Sequence, residues 1–107
     1  MSIAEGRTVL RATINESTAA SNVQVAAVTG SQIVVVHVML VCTVANTLTW
    51  QSASTALSGA MGFGANGGYR DSDHDSGLFE TVAGEALNLL SGSAQQVSGY
   101  LSYVLVG

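Results

Sequence analysis

The sequence predicts an all-β fold, a jelly-roll β-sandwich of about eight antiparallel strands. Short segments that alternate apolar and polar residues recur along the chain, as expected where successive side chains of a strand point to opposite faces. Turn signals rich in Gly, Asn and Ser separate these segments at intervals of about 8–12 residues. No segment has the apolar spacing and the length of a stable helix.

The first three predicted strands differ in how many faces they bury. Residues 8–14 alternate between aliphatic residues and Arg or Thr, which indicates one buried face. Residues 22–28 repeat this pattern more weakly and precede a Thr-Gly-Ser turn. Residues 32–44 read QIVVVHVMLVCTV, in which Val or Ile fills seven positions and both faces are apolar. A strand of an antiparallel sheet normally buries one face and exposes the other to water. Because both faces of this strand are apolar, its second face is predicted to need a partner subunit.

The remaining predicted strands are shorter, except the last. Residues 47–51 follow a tight Ala-Asn turn and alternate cleanly, so they pair with the long strand as a hairpin. Residues 57–63 end at an Asn-Gly-Gly turn, whose residues tolerate positive φ. Residues 78–82 and 85–91 are separated by an Ala-Gly turn. Residues 97–106 alternate throughout and form the closing strand.

The chain is long enough for one domain with a modest core. Residues 1–7 have no pattern and are predicted to be a flexible N-terminal arm that becomes ordered only on a partner, ahead of a sandwich domain over residues 8–107. The N-terminus has no signal-peptide pattern, so the chain is expected to stay in the cell that makes it.

Charge excludes two classes of partner. The chain has three Arg, no Lys and a net charge of −4. Nucleic-acid binding depends mainly on cationic side chains that neutralise phosphates, and a membrane anchor of the polybasic kind needs a cluster of them. Three scattered Arg residues can provide neither nucleic-acid binding nor a polybasic membrane anchor. Charged residues make up only 9% of the chain, which favours burial of surface in an assembly.

Five residues are candidates for an oligomer interface. Four lie at alternate positions on the second apolar face of the long strand, and the fifth is an aromatic residue of the closing strand that packs in the core or at a contact. They are Val35, His37, Met39, Val41 and Tyr100. At such a contact His37 is expected to be hydrogen-bonded and able to respond to acid pH.

The segment 69–76, YRDSDHDS, is the only charged one and gives a weak calcium candidate. Asp71, Asp73 and Asp75 alternate, as carboxylates do where a calcium loop begins. However, the Gly and the bidentate Glu of the helix–loop–helix calcium motif are missing, and no helix flanks the segment. A solvated acidic loop is the other interpretation. One His without a nearby Cys falls short of a zinc site.

No catalytic constellation is evident in the sequence, and no cofactor is predicted. His37 lacks a recognisable nucleophile motif, and Cys42, the single cysteine, reads as a small buried hydrophobe. The glycines between residues 59 and 68 lead into no helix and no Lys, so they indicate turns and strand kinks. We therefore expect no enzymatic activity.

The second half of the chain contains a series of short turn and core motifs. They are Leu57-Ser58-Gly59, Asn66-Gly67-Gly68, Gly77–Thr81, Gly84–Leu89, Val97-Ser98-Gly99 and Tyr103-Val104. In these motifs the chain resembles a family of small jelly-roll head decoration, or cement, proteins of tailed bacteriophages. The resemblance covers about half of the chain, from Leu57 onward, and extends to the first half only by pattern.

This resemblance implies a structural virion protein that binds the outer surface of the major capsid protein lattice and stabilises the head. It implies a homo-oligomer, with a trimer favoured over a dimer, made in the bacterial host cytoplasm and located on the outside of the capsid. Similar sequences also occur as phage tail or fibre modules. A glycan-binding module of the virion surface is therefore the alternative, since jelly rolls also serve as lectins.

Overall fold

The computed structural model describes residues 2–107 and contains ten β-strands in two antiparallel sheets, with no helix among these residues. The strands are β1 Leu10–Glu16, β2 Ser21–Val25, β3 Gln32–Cys42, β4 Asn46–Ser52, β5 Thr55–Ala56, β6 Met61–Phe63, β7 Gly68–Ser72, β8 Phe79–Glu80, β9 Leu87–Ser91 and β10 Val97–Val106.

The order of the strands is that of a jelly roll. Sheet A has the order β1-β10-β3, with the short strands β7 and β8 both along the far edge of β3. Sheet B has the order β2-β9-β4, with β5 and β6 both along the far edge of β4. Each sheet therefore has four strand positions, and the predicted jelly-roll β-sandwich is confirmed.

The predicted hairpin between the long strand and residues 47–51 is wrong, because β3 lies in sheet A and β4 in sheet B. Two further departures concern edge strands. β7 lies in the charged segment, where no strand is predicted, and of the predicted strand 57–63 only β6 is formed, with the two-residue β5 just before it. All three lie at sheet edges and pair with one neighbour only. An edge strand needs backbone hydrogen bonds but little apolar alternation, so its sequence can be polar or charged.

The core lies between the two sheets and is built from the inward faces of both. Trp50 is 1% exposed and is the largest residue in it. The buried residues of this cluster are Ile14, Val25, Ile33, Val35, Val38, Leu40, Cys42, Leu48, Trp50, Leu87, Leu89, Val97 and Leu101.

A β-bulge in β3 changes which residues face this core. Ser102 and Tyr103 are neighbours on β10 but pair with His37 and Val35, so Val36 is an extra residue without a cross-strand partner. An extra residue shifts the alternation by one. Ile33 and Val35 face the core before the bulge, whereas the even-numbered residues from Val38 to Cys42 face it afterwards.

The N-terminal segment covers part of the outer face of sheet A. Met1 lies outside the described residues, but residues 2–7 form a turn whose Ile3 and Ala4 pack against Val34 and Val36. Backbone hydrogen bonds tie this turn to the loop after β7, from Ile3 N to Asp75 O at 2.6 Å and from Ala4 N to His74 O at 3.2 Å. The apolar start of β3 thus provides a surface on which this segment buries Ile3.

Candidate functional site

The outer face of sheet A brings four of the five predicted interface residues together. His37, Met39 and Val41 follow the bulge on β3, and Tyr100 on β10 is the cross-strand partner of Met39. Two arginines complete this group at the flanking strands, Arg11 on β1 and Arg70 on β7. These six residues are called the outer patch below.

Val35 is not part of the outer patch. It is 0% exposed and packs in the core between the sheets, so a partner cannot reach it in this fold. The prediction for Val35 is wrong because it assumed uninterrupted alternation along β3, and the bulge at Val36 reverses the faces.

Tyr100 is held at the centre of the outer patch by two neighbours. Its ring stacks on the ring of His37, with 5.3 Å between centroids and an angle of 29° between the planes. The guanidinium carbon of Arg11 lies 4.8 Å from the centroid of the Tyr100 ring, which is a cation–π contact. The three side chains therefore form a preorganised group with little rotational freedom left to lose on binding.

The Nε2 atom of His37 is buried and has no hydrogen-bond partner within residues 2–107. A buried polar atom without a partner costs about 1–3 kcal/mol. Because the protein itself encloses this atom, the cost lowers the stability of the single chain. The hydrogen-bonding capacity of this nitrogen is therefore unused, although the side chains around it are packed.

The outer patch combines exposed apolar surface with positive charge. Val41 is 42% exposed, and its cross-strand partner on β7, Gly68, has no side chain with which to cover it. Arg11 and Arg70 are exposed on either side of the patch and are two of the three arginines of a chain with net charge −4. The patch is therefore locally cationic on an acidic protein.

The three aspartates of the acidic segment are not arranged as a set of metal ligands. Within residues 2–107 no three His, Cys, Asp or Glu side chains are arranged to hold a metal ion. Asp71 lies on β7, whereas Oδ1 of Asp73 accepts hydrogen bonds from the backbone N–H groups of Asp75 and Ser76, both at 3.0 Å. The Asp73 carboxylate therefore stabilises its own turn, and the weak calcium candidate remains a prediction.

The other aromatic residues lie mostly in the core. Trp50 is buried, and its Nε1 donates a hydrogen bond of 2.7 Å to the hydroxyl of Tyr69. Tyr69 and Tyr103 pack against the main core cluster. Tyr100 is therefore the one Tyr or Trp side chain of the described chain that lies on the outer face of sheet A, and these residues do not assemble a stacking platform for a sugar.

Neither Cys42 nor the open cavity at one end of the sandwich offers a reactive group. Burial raises the pKa of the Cys42 thiol, which disfavours the reactive thiolate. A cavity of about 450 Å³ lies at one end of the sandwich, lined in part by Asn46, Phe63 and Ser93. The Asn46 Oδ1 in it already accepts hydrogen bonds from the backbone of Thr47 and from Ser93. The Asn46 Oδ1 atom is therefore already paired within the protein and is not free to bind a ligand.

Compared with models of protein families, with curated proteins and with solved structures, the chain matches none. No helix long and apolar enough to cross a membrane occurs in residues 2–107.

Sequence reasoning missed the arginines of the outer patch. Arg11 alternates with the inward residues of the first predicted strand, so its outward direction was predictable, but its position beside Tyr100 depends on the pairing of β1 with β10. The direction of the Arg70 side chain could not be predicted, because no strand is predicted for the charged segment that contains it.

Proposed function

We propose that the chain is a structural virion protein, a capsid decoration or cement protein. It binds the outer surface of a major capsid protein lattice as a homo-oligomer and stabilises the head. The observation that carries this proposal is the outer patch, in which the stacked rings of His37 and Tyr100 share one face of the sheet with the exposed Val41 and Arg11. The resemblance of the second half of the chain to phage decoration proteins supports it.

The composition of the outer patch fits a protein partner. Interfaces between proteins are enriched in Tyr, Met and Arg at their centres and depleted of Lys and acidic residues, and the patch has this composition. Its two arginines favour a partner surface with carboxylates, because opposite potentials across an interface guide association. An acidic groove on a capsid lattice has this chemistry.

A decoration protein stabilises a shell by adding contacts at many equivalent places. A specific interface buries about 1,200–2,000 Å² in total. Each copy that spans two capsid subunits adds buried area that must be lost before those subunits separate. An oligomer with several such interfaces binds more tightly than a single copy by multivalency. The lattice then resists heat and internal pressure without any catalytic step.

Binding to heads that lack the chain tests the proposal. The purified chain is mixed with DNA-filled heads from a phage in which the gene for this chain has been deleted, and bound protein is measured by co-sedimentation. We expect saturable binding and an increase in the temperature at which the heads release their DNA. Failure of the wild-type chain to sediment with the heads would refute the proposal.

A matched pair of variants locates the binding surface. Val41→Asp places a carboxylate in the outer patch, whereas Val23→Asp places one on β2 of sheet B, where Val23 is 57% exposed. Val41→Asp should weaken binding at least about tenfold, and Val23→Asp should bind like the wild type. Equal binding by the two variants would remove the outer patch from the contact.

A further inference from the structure

The four edges of the two sheets are protected to different degrees. An edge strand exposes unpaired backbone N–H and C=O groups and is a template for pairing with another chain. Proteins block such edges with very short strands, charged side chains, bulges or covering groups. Three edges of this molecule have these devices, and the edge formed by β1 does not.

The β2 edge of sheet B is covered by its own side chains. A bulge lies between Val23 and Val25, so the strand is irregular. The Gln24 Nε2 donates hydrogen bonds to the backbone oxygen of Asn22, at 3.2 Å, and to a carboxylate oxygen of Glu16, at 3.0 Å. The bulge and these side chains leave little regular backbone for another strand.

The two edges on the far sides of the sandwich are interrupted. Sheet A ends in β7 and β8, which have five and two residues, and the β7 side carries Asp71 and Asp73. Sheet B ends in β5 and β6, which have two and three residues. Neither edge offers a regular strand longer than five residues.

The β1 edge is continuous and open. β1 has seven residues, Leu10–Glu16, which pair with β10 in an unbroken register. Within residues 2–107 its backbone makes no hydrogen bond to any segment other than β10. Its single cation, Arg11, lies over the Tyr100 ring, on the face of the sheet and away from the edge. Leu10, at its start, is 36% exposed.

We infer that β1 pairs antiparallel with β1 of a second copy of this chain, about a two-fold axis perpendicular to sheet A. Full overlap of two strands that both run from residue 10 to residue 16 places the axis at Thr13. Thr13 then faces the partner's Thr13, a favourable cross-strand pair of exposed β-branched residues. Arg11 faces the partner's Asn15, so this register brings no like charges together.

This pairing joins the two copies of sheet A into one continuous sheet. A two-fold axis perpendicular to the sheet keeps both outer faces on the same side, so the outer patches of the two copies form one surface. The association is two-fold, in contrast to the trimer that the sequence favoured, because an isologous edge contact uses the same strand twice and then has no free edge. The inference rests on the β1 edge and not on capsid binding.

Light scattering on the purified full chain tests the inference. The wild type should have twice the 10.9 kDa mass of one chain at high micromolar concentration. Thr13→Lys places two lysines opposite each other at the axis and should give the mass of one chain. Thr55→Lys is the matched control, because Thr55 is also exposed on an edge strand, β5, and it should keep the doubled mass.

Disulfide cross-linking is a second test, and it detects the dimer without weakening the pairing of the strands. Thr13→Cys should form a disulfide-linked dimer under mild oxidation, and Thr55→Cys should not, while Cys42 is buried and stays reduced. A wild type with the mass of one or three chains, a doubled mass retained by Thr13→Lys, or equal cross-linking of the two Cys variants would each overturn the inference. A wild type with the mass of three chains that still sediments with heads would overturn this inference and leave the proposed function intact.

Discussion

At the scale of single residues, the hydrogen bond between Trp50 and Tyr69 joins the two sheets. Trp50 lies on β4 of sheet B and donates from Nε1 to the hydroxyl of Tyr69 on β7 of sheet A, at 2.7 Å. Trp50 is 1% exposed, so no water replaces this acceptor if it is removed. The bond therefore satisfies the indole N–H inside the core.

Tyr69→Phe removes the acceptor and leaves the Trp50 N–H unpaired, so we expect the free energy of unfolding to fall by about 1–3 kcal/mol. Urea denaturation followed by fluorescence of Trp50, the single tryptophan, measures this change. Tyr103→Phe is the control, because no hydrogen bond within residues 2–107 uses the Tyr103 hydroxyl. A loss as large for Tyr103→Phe would show that the indole bond is not the cause.

The same tyrosine makes stability depend on alkaline pH. Burial raises the pKa of Tyr69 above its ordinary value, with a smaller contribution from the Asp71 carboxylate, and the hydrogen bond from Trp50 opposes them. The folded state therefore keeps the phenol proton to a higher pH than the unfolded chain does. The unfolded chain binds fewer protons above pH about 10, so the free energy of unfolding falls as pH rises.

Urea denaturation at a series of pH values from about 8 to about 11 tests this dependence. The wild type should lose more stability over this range than Tyr69→Phe, which has no phenol at this position. Parallel curves for the two proteins would contradict the assignment to Tyr69. Tyr100 and Tyr103 are present in both proteins, so the comparison isolates Tyr69.

At the scale of elements, the bulge in β3 decides which residues are core and which are surface. The bulge at Val36 leaves Val35 0% exposed and Val41 42% exposed, although both have odd numbers on one strand. Alternation in the sequence predicts the strand and its two apolar faces. It cannot show the bulge, because every residue from Ile33 to Val36 is Val or Ile and any register looks equally apolar.

Paired alanine variants test this change of face. Val35→Ala should lower the free energy of unfolding by about 2 kcal/mol, from lost burial and the cavity that remains. Val41→Ala should change it by less than about 0.5 kcal/mol, as is usual for exposed positions. Thermal or urea denaturation gives both values. Equal losses at the two positions would mean that β3 has no bulge in solution.

The N-terminal turn covers the part of sheet A that the bulge turns outward. Ile3 and Ala4 pack on Val34, Val36 and Val104, so the apolar start of β3 is shielded by the chain itself and needs no partner subunit. The sequence could not predict this contact, because residues 1–7 contain a single large apolar side chain other than Met1 and no periodicity. The surface that the proposed partner would cover is thus limited to the outer patch, beyond the bulge.

Ile3→Ala should lower the free energy of unfolding by about 1–2 kcal/mol, less than a fully buried Ile would give, because Ile3 is only partly buried. Glu5→Ala changes an exposed residue of the same turn and should have an effect below about 0.5 kcal/mol. Urea denaturation curves of the two variants and the wild type give these changes in the free energy of unfolding. If Ile3→Ala is as stable as the wild type, the turn does not cover the sheet in solution.

At the scale of the whole molecule, residues 2–107 form a jelly roll with the outer patch on one face and an open edge at β1. The alternating segments and turn signals predicted the fold class, and four of five interface candidates lie together on one face. Their grouping with Arg11 and Arg70 depends on strand order, which pairs residues far apart in sequence, such as Met39 and Tyr100. Sequence periodicity contains no information on that order.

The proposed function makes this chain a stoichiometric component of a viral head. Quantitative mass spectrometry of purified virions measures the number of copies of the chain for each copy of the major capsid protein. The account predicts a fixed ratio of small whole numbers that is the same in independent preparations. Absence of the chain from purified virions, or a trace amount that varies between preparations, would contradict it.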